Sequence, residues 1–311
     1  MEVILAEPRG FCAGVRRAIL IVEKAIQKFG TPIYVKHEIV HNKIVIESLK
    51  SKGVIFTDEV SQIPQGSVVI YSAHGVSDAV ESEAERLQLI PIDATCPLVK
   101  KVHKEVIQYD EEGFQIILIG HKNHPEIEGT SGKLKKGKAI IVQNVEEAKT
   151  VQIENDQKLA IATQTTLSLD DTKEIIEILE ARFPVLKGNV KNDICYATQN
   201  RQTAVYDLIQ NYQIDGLIVV GSQNSSNSNR LKDIGTQRGI PSFLINEPDE
   251  LDLKNVLNLK KIGITAGASA PEHLIEKLVD FFKKKDNNLK ITIMDGVKED
   301  TVFHLPKQLR D

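Results

Sequence analysis

An α/β fold of three repeated units, each with a mainly parallel sheet, follows from two features of the 311-residue chain. Short β-branched runs alternate with longer amphipathic ones, the signature of strand–helix–strand crossovers. Three cysteines, Cys12, Cys96 and Cys195, each precede polar loops at matched distances. His41 lies 29 residues after Cys12, and Ala73-His74-Gly75-Val76-Ser77 begins 61 after it. His124 lies 28 residues after Cys96, and Thr163-Gln164-Thr165-Thr166 begins 67 after it. Asn224-Ser225-Ser226-Asn227 begins 29 residues after Cys195, and Ala266-Gly267-Ala268-Ser269 begins 71 after it. The order cysteine, polar loop, strand, second polar loop, helix thus occurs three times, an internal repeat of roughly 90 residues. The expected units are 1–95, 96–194 and 195–289, with 290–311 as a C-terminal extension that packs back on an earlier unit.

In chain order, strands are expected at Glu2–Leu5, Val68–Tyr71, Gln115–Ile119, Leu159–Ala162, Gly216–Val220 and Ile262–Thr265, runs rich in Val, Ile and Leu. Helices are expected at Val15–Phe29, Ser77–Leu87, Val99–Tyr109, Ser168–Phe183, Gln202–Tyr212 and Pro271–Lys284, where longer amphipathic runs lie between them. Several strands run straight into small polar loops.

Composition narrows the function. Lys+Arg 39 against Asp+Glu 43 leaves a net charge of −4. That lacks the basic footprint of a nucleic-acid binder. Hydrophobic residues at 41% support a packed core rather than wholesale disorder. No apolar run approaches the ~18–20 residues of a membrane span. The N-terminal MEVILAEPRGFCAG lacks a basic leader region, so the expected location is the cytoplasm.

Three cysteines, an odd number, exclude a disulfide framework. Their gaps of 84 and 99 residues resemble neither zinc knuckles nor ferredoxin runs. Taken singly, each reads as a small buried hydrophobe. Their neighbours change that reading. In open parallel sheets, ligands bind beyond the carboxyl ends of strands, where loops meet helix N-termini. Three units about a common centre would bring the cysteines and six polar loops to one cavity. Three thiolates are one short of the set that normally holds an iron–sulfur cluster, and a [4Fe–4S] cluster so held keeps one iron open as Lewis acid and electron source. A Cys₃ zinc site with an open position, which implies hydrolysis, and three inert core thiols stay open beside it.

Glu126, in Gly120-His121-Lys122-Asn123-His124-Pro125-Glu126-Ile127-Glu128-Gly129, sits in the first turn of an expected helix. Beside an open metal it is the candidate proton donor, since desolvation raises a carboxyl's pKa. His124 rather than His121 stands at the repeat position. His41, His74 and His124 occupy corresponding loops, and with Ser and Asn side chains ahead of helices they suit a phosphate or diphosphate. Gly221-Ser222-Gln223-Asn224-Ser225-Ser226-Asn227-Ser228-Asn229 reads as such a loop ahead of a helix, and Ala266–Pro271 as a helix start. There is no Walker or GxGxxG sequence to support nucleotide binding. Lys133–Lys138 and Lys283–Lys285 read as solvated surface.

With these residues the chain resembles the LytB/IspH family of 4-hydroxy-3-methylbut-2-enyl diphosphate reductases. The matching stretches are Gly10-Phe11-Cys12-Ala13-Gly14-Val15, Val40-His41-Asn42, Ser72-Ala73-His74-Gly75-Val76, Asp93-Ala94-Thr95-Cys96-Pro97 and Gly120–Glu126. They continue through Ala162-Thr163-Gln164-Thr165-Thr166-Leu167-Ser168, Asp193-Ile194-Cys195-Tyr196-Ala197-Thr198, Asn224–Arg230 and Thr265–Pro271. The resemblance implies a trefoil of three α/β units around a central [4Fe–4S] cluster with an open fourth iron, held by Cys12, Cys96 and Cys195. It implies an oxidoreductase of isoprene biosynthesis that removes the allylic hydroxyl of its substrate to give isopentenyl and dimethylallyl diphosphates, the last step of the methylerythritol phosphate route. It assigns proton delivery to Glu126 through Thr165, and the diphosphate pocket to His41, His74, His124, Ser225, Ser226, Asn227 and Ser269. It also implies an external electron donor, a ferredoxin or flavodoxin. A Cys₃ zinc hydrolase of a phosphorylated metabolite and a non-enzymatic iron–sulfur sensor are the alternatives.

Overall fold

A computed structural model of the chain describes every residue except 155, 189–192, 257 and 311. The first stretch runs β1 (Glu2–Leu5), α1 (Ala13–Phe29), β2 (Ile33–Lys36), α2 (Lys43–Ser51), β3 (Val54–Thr57), β4 (Val68–Tyr71), α3 (Asp78–Arg86) and β5 (Ile90–Asp93). The second runs α4 (Pro97–Glu111), β6 (Gln115–Ile119), α5 (Pro125–Ser131), β7 (Ile140–Val142), α6 (Val145–Thr150), β8 (Leu159–Thr163) and α7 (Leu169–Arg182). The third runs α8 (Tyr196–Gln210), β9 (Gly216–Val220), α9 (Ser226–Gln237), β10 (Ser242–Ile245), β11 (Lys261–Ala266), α10 (Glu272–Lys285) and β12 (Lys290–Ile293).

The strands form three sheets, ordered β10-β9-β11-β1-β12, β3-β2-β4-β5 and β7-β6-β8, and every named pairing is parallel. The expected α/β class with parallel sheets is therefore present. Sheet membership is not contiguous in sequence, however. β1 lies between β11 and β12, with Val3 opposite Ile262 and Ile291, and so joins strands of the third stretch rather than of residues 1–95. The reason is burial on both faces: Val3 and Ile4 are fully buried on opposite sides, which a central parallel strand satisfies. β12 brings the C-terminal extension back onto β1.

Two compact units hold these sheets. The first comprises residues 1–16, 41–48 and 196–302 and contains the five-stranded sheet. Val3, Leu5, Ile218, Val220, Ile262 and Ile264 face Leu274, Leu278 and Phe282 of α10. The alternate residues Ile4, Leu217 and Val219 face Val205 and Leu208 of α8 and Leu231 and Ile234 of α9. A strand's two-residue period sends successive side chains to opposite faces, which accounts for both layers. The second unit comprises residues 17–40, 49–195 and 303–311 and contains the other two sheets. Its cores gather Val69, Tyr71, Val76 and Ala84 around the four-stranded sheet, and Ile116, Leu118, Ala160 and Ala162 against Val102 and Val106 of α4. In both units the singled-out polar loops follow the carboxyl ends of β4, β6, β8, β9 and β11, the edge where parallel sheets bind ligands.

Candidate active site

Each cysteine stands immediately before a helix: Cys12 before α1, Cys96 at the N-cap of α4 and Cys195 before α8. None is in a disulfide, and all three are partly exposed. Backbone N–H groups and the positive end of the helix dipole face each sulfur position. Val15 N–H points at Cys12 Sγ across 3.5 Å. This donor set, three soft sulfurs at helix N-termini, suits an iron–sulfur cluster. Among the described residues, no three His, Cys, Asp or Glu side chains are gathered around the position of one metal ion.

In the second unit the remaining residues form one connected chain. Cys96 N–H donates to Ala73 O at 2.9 Å, beside His74. Ser72 Oγ lies 3.3 Å from His74 Nδ1, and the His74 ring meets the His124 ring edge-on, with centroids 5.7 Å apart. His124 caps α5, its Nδ1 accepting from Glu126 N–H at 3.1 Å. That bond makes Nε2 the hydrogen-bearing nitrogen of the neutral ring. Pro125 follows in the first turn, as the sequence predicts.

Glu126 is 3% exposed and its carboxylate turns onto Thr165. Thr165 N–H donates to Oε1 at 2.6 Å and Thr165 Oγ1–H to Oε2 at 3.0 Å. Burial pushes the Glu126 carboxyl up to about 7, although both Thr165 hydrogen bonds pull it down. Desolvation wins because, among the described residues, Thr165 alone hydrogen-bonds the carboxylate. Cys195 N–H donates to Thr165 O at 3.0 Å, closing the path. Glu128, the neighbouring carboxylate, is exposed and faces His37 at 4.0 Å. Glycines let these segments approach. Gly75 has φ +81°, and a Cβ there would meet His103 Cε1 at 2.6 Å. Burial pushes that imidazole down to about 4, so a neutral ring packs behind the His74 loop.

The first unit assembles the other loops. Cys12 N–H donates to Ala268 O at 3.1 Å, and the adjacent Ser269 Oγ donates to His41 O at 2.8 Å. Ser225 caps α9, accepting from Ser228 N–H at 3.3 Å. Ser226 and Asn227 are in that helix's first turn, so the polar run extends into α9 rather than ending ahead of it. Asn227 is 3% exposed and, among the described residues, neither amide atom has a hydrogen-bond partner. A Cβ at Gly267 would lie 2.0 Å from Ser228 Oγ, so only glycine lets the loop after β11 pass this close.

The structure thus groups His74, His124, Glu126 and Thr165 with Cys96 and Cys195 in one unit. It groups Cys12, His41 and Ser269, and Ser225, Ser226 and Asn227, in the other. Sequence reasoning assigns no role to Ser72, which orients His74, or to Gln164, whose Oε1 accepts from His121 N–H at 3.0 Å. Both lie in loops already singled out by position. One expectation is corrected. Lys133 is buried and pairs with Asp78 at 2.9 Å and Glu81 at 2.7 Å, because its ammonium meets the acidic first turn of α3.

No helix among the described residues is long and apolar enough to cross a membrane. The family profile of the LytB protein matches residues 3–283. A 4-hydroxy-3-methylbut-2-enyl diphosphate reductase from Acinetobacter baumannii is 50% identical, with 100% of this chain and 98% of the relative covered. Among solved structures, the E-1-hydroxy-2-methyl-but-2-enyl-4-diphosphate reductase from Plasmodium falciparum is 40% identical, with TM-score 0.94 over 99% of this chain and 96% of that one. A solved (E)-4-hydroxy-3-methyl-but-2-enyl diphosphate reductase, the terminal enzyme of the non-mevalonate pathway, is 34% identical, with TM-score 0.64 over 91% of this chain and 99% of that one. With its cysteine, histidine and glutamate motifs on the loops described above, this chain belongs to the LytB protein family.

Proposed function

We propose that this chain is a 4-hydroxy-3-methylbut-2-enyl diphosphate reductase, as its relatives are named. It removes the allylic hydroxyl and yields isopentenyl and dimethylallyl diphosphates, the last step of the methylerythritol phosphate route. The observation that carries the reading is Glu126, buried, raised to about 7 and with its carboxylate hydrogen-bonded to Thr165, in the network that contains His74 and His124. Three repeat units with boundaries near residues 96 and 195 and a cytoplasmic location complete the proposal.

Cys12, Cys96 and Cys195 would hold one [4Fe–4S] cluster with its fourth iron open. When bound, that cluster supplies electrons and a Lewis acid for the departing oxygen. Two electrons and two protons convert the C–OH bond to C–H and water. The electrons come from an external ferredoxin or flavodoxin, since the chain has no flavin or nicotinamide motif of its own. Protonated Glu126 donates from Oε2 to Thr165 Oγ1, reversing the present bond, and the Thr165 hydroxyl turns its own hydrogen to the leaving hydroxyl. His124 Nε2–H, the Asn227 amide and the side chains of His41, His74, Ser225, Ser226 and Ser269 bind the diphosphate, each charge-assisted bond worth about 1.5–3 kcal/mol. The test is anaerobic incubation of the iron-loaded protein with substrate and a chemical reductant, with both diphosphate products expected. Iron-loaded protein that leaves the substrate intact overturns the reading, and so does a colourless chain that takes up zinc instead of iron.

A further inference from the structure

Two buried arginines outside the proposed chemistry grip the segments that lead into Cys12 and Cys96. In the first unit, Arg201 of α8 is 1% exposed. Its Nε and Nη2 donate to Gly10 O at 3.1 and 2.7 Å, and its Nη1 donates to Ala197 O at 2.8 Å. Glu299 faces the guanidinium with both oxygens, at 3.0 and 3.1 Å, and Asn200 Nδ2 donates to Glu299 Oε1 at 3.1 Å. Gly10 is two residues before Cys12, at φ +68°, where a Cβ would lie 3.2 Å from Ala270 O.

In the second unit, Arg17 of α1 is also buried. Its Nε donates to His304 O at 2.8 Å, its Nη1 to Ala94 O at 3.1 Å and Thr95 O at 3.2 Å, and its Nη2 reaches Asp93 O at 3.5 Å. Those three carbonyls directly precede Cys96. Glu299 and His304 belong to one irregular stretch, residues 294–306, which contains no helix or strand.

A planar guanidinium holds several acceptors at fixed angles, which a lysine ammonium on a flexible stem does not. Buried in this way it needs its partners, because a lost partner leaves a charge without compensation. We infer that Arg17 and Arg201 are positioning residues for the cysteine segments, and that the C-terminal stretch locks them through Glu299 and the His304 carbonyl. The inference rests on the proposal that Cys12 and Cys96 are cluster ligands. It adds that the ligand loops are held by the far end of the chain. The cost of the device is two buried cations. Its product is a pair of cysteine-bearing loops whose geometry survives without the cluster.

Arg17→Lys and Glu299→Gln test this in the full chain, measured with and without iron. Hydrogen–deuterium exchange of the cluster-free protein should rise about tenfold or more in residues 93–97 for Arg17→Lys, and in residues 10–14 for Glu299→Gln. Residues 121–127 should exchange as in the wild type. In the reconstituted protein each variant should release iron to a chelator faster by a similar factor. Should Glu299→Gln not fold, Glu299→Asp keeps the charge, shortens the reach and carries the same expectation. Unchanged exchange in both cysteine segments overturns the inference. A uniform rise that includes 121–127 overturns it too, because that is general loosening. Loop-specific exchange in a chain that binds no iron would remove the cluster reading and keep the clamps. Normal iron uptake with unresponsive loops would do the reverse.

Discussion

Glu126→Gln separates the acid from the shape of its pocket, because glutamine keeps the size and can still accept the Thr165 N–H that Oε1 accepts at 2.6 Å. The Glu126 carboxyl rises from 4.5 to about 7. That displacement corresponds to about 3 kcal/mol against the charged form. At pH 7 roughly half of the buried carboxyls hold a proton, against roughly 0.3% for an ordinary one, so the pocket makes the acid more than a hundredfold more available. General acid catalysis contributes about 10²–10⁴-fold, so hydroxyl loss should slow by that order in Glu126→Gln. A single turnover with pre-reduced protein isolates this step from electron delivery. The wild-type rate should also fall above about pH 7, as the donor form is lost.

In Glu126→Gln, stability should move opposite to the rate. An acid whose folded pKa is raised keeps its proton between about 4.5 and 7, while the unfolded chain has already released it. Folded protein then binds more protons, so stability declines as pH rises through that window. Glutamine does not titrate. Glu126→Gln should therefore gain on the wild type by up to about 3 kcal/mol between pH 4.5 and pH 8, measured by denaturant unfolding. Parallel stability curves for the two proteins, or a wild-type rate that stays flat to pH 9, would refute the desolvated-acid argument.

Thr165→Val removes the Oγ1 bond that pulls Glu126 down, so the pH at which the rate falls should move up while the rate itself drops; an unmoved profile speaks against the relay. Asn227→Leu replaces a buried amide without partners by an apolar side chain of similar size. Ligand-free stability should hold or rise by about 1 kcal/mol, and the thermal shift on adding a diphosphate should shrink. Gly75→Ala places a Cβ at φ +81° and 2.6 Å from His103, so unfolding should become easier by about 2 kcal/mol, with weaker diphosphate binding because His74 moves. Wild-type stability in that variant would show that the loop can yield.

Six of the twelve strands among the described residues were legible because their apolar content reports burial directly. Glu2–Leu5, Val68–Tyr71, Gln115–Ile119 and Gly216–Val220 have the expected bounds. Their neighbours on the sheet are less local, and nothing near Glu2–Leu5 marks it as a partner of Lys261–Ala266. Of the site, the positions of the motif loops were readable, and so was the contrast between buried Glu126 and exposed Glu128, since a step of two along a helix turns one side chain in and the other out. α8 shows where local reading stops. It is expected from Gln202 but begins at Tyr196, and its first two turns bury Thr198, Arg201 and Gln202. A polar turn with a charge in it reads as a solvated loop, because burial of a cation is normally prohibitive. Here the compensation comes from Glu299, 98 residues away, just as Arg17 draws on His304, 287 residues away. A window of one or two helical turns contains neither partner. The residues that hold the cysteine loops are therefore hidden from the sequence for the same reason that they can do so: their partners come from the far end of the chain.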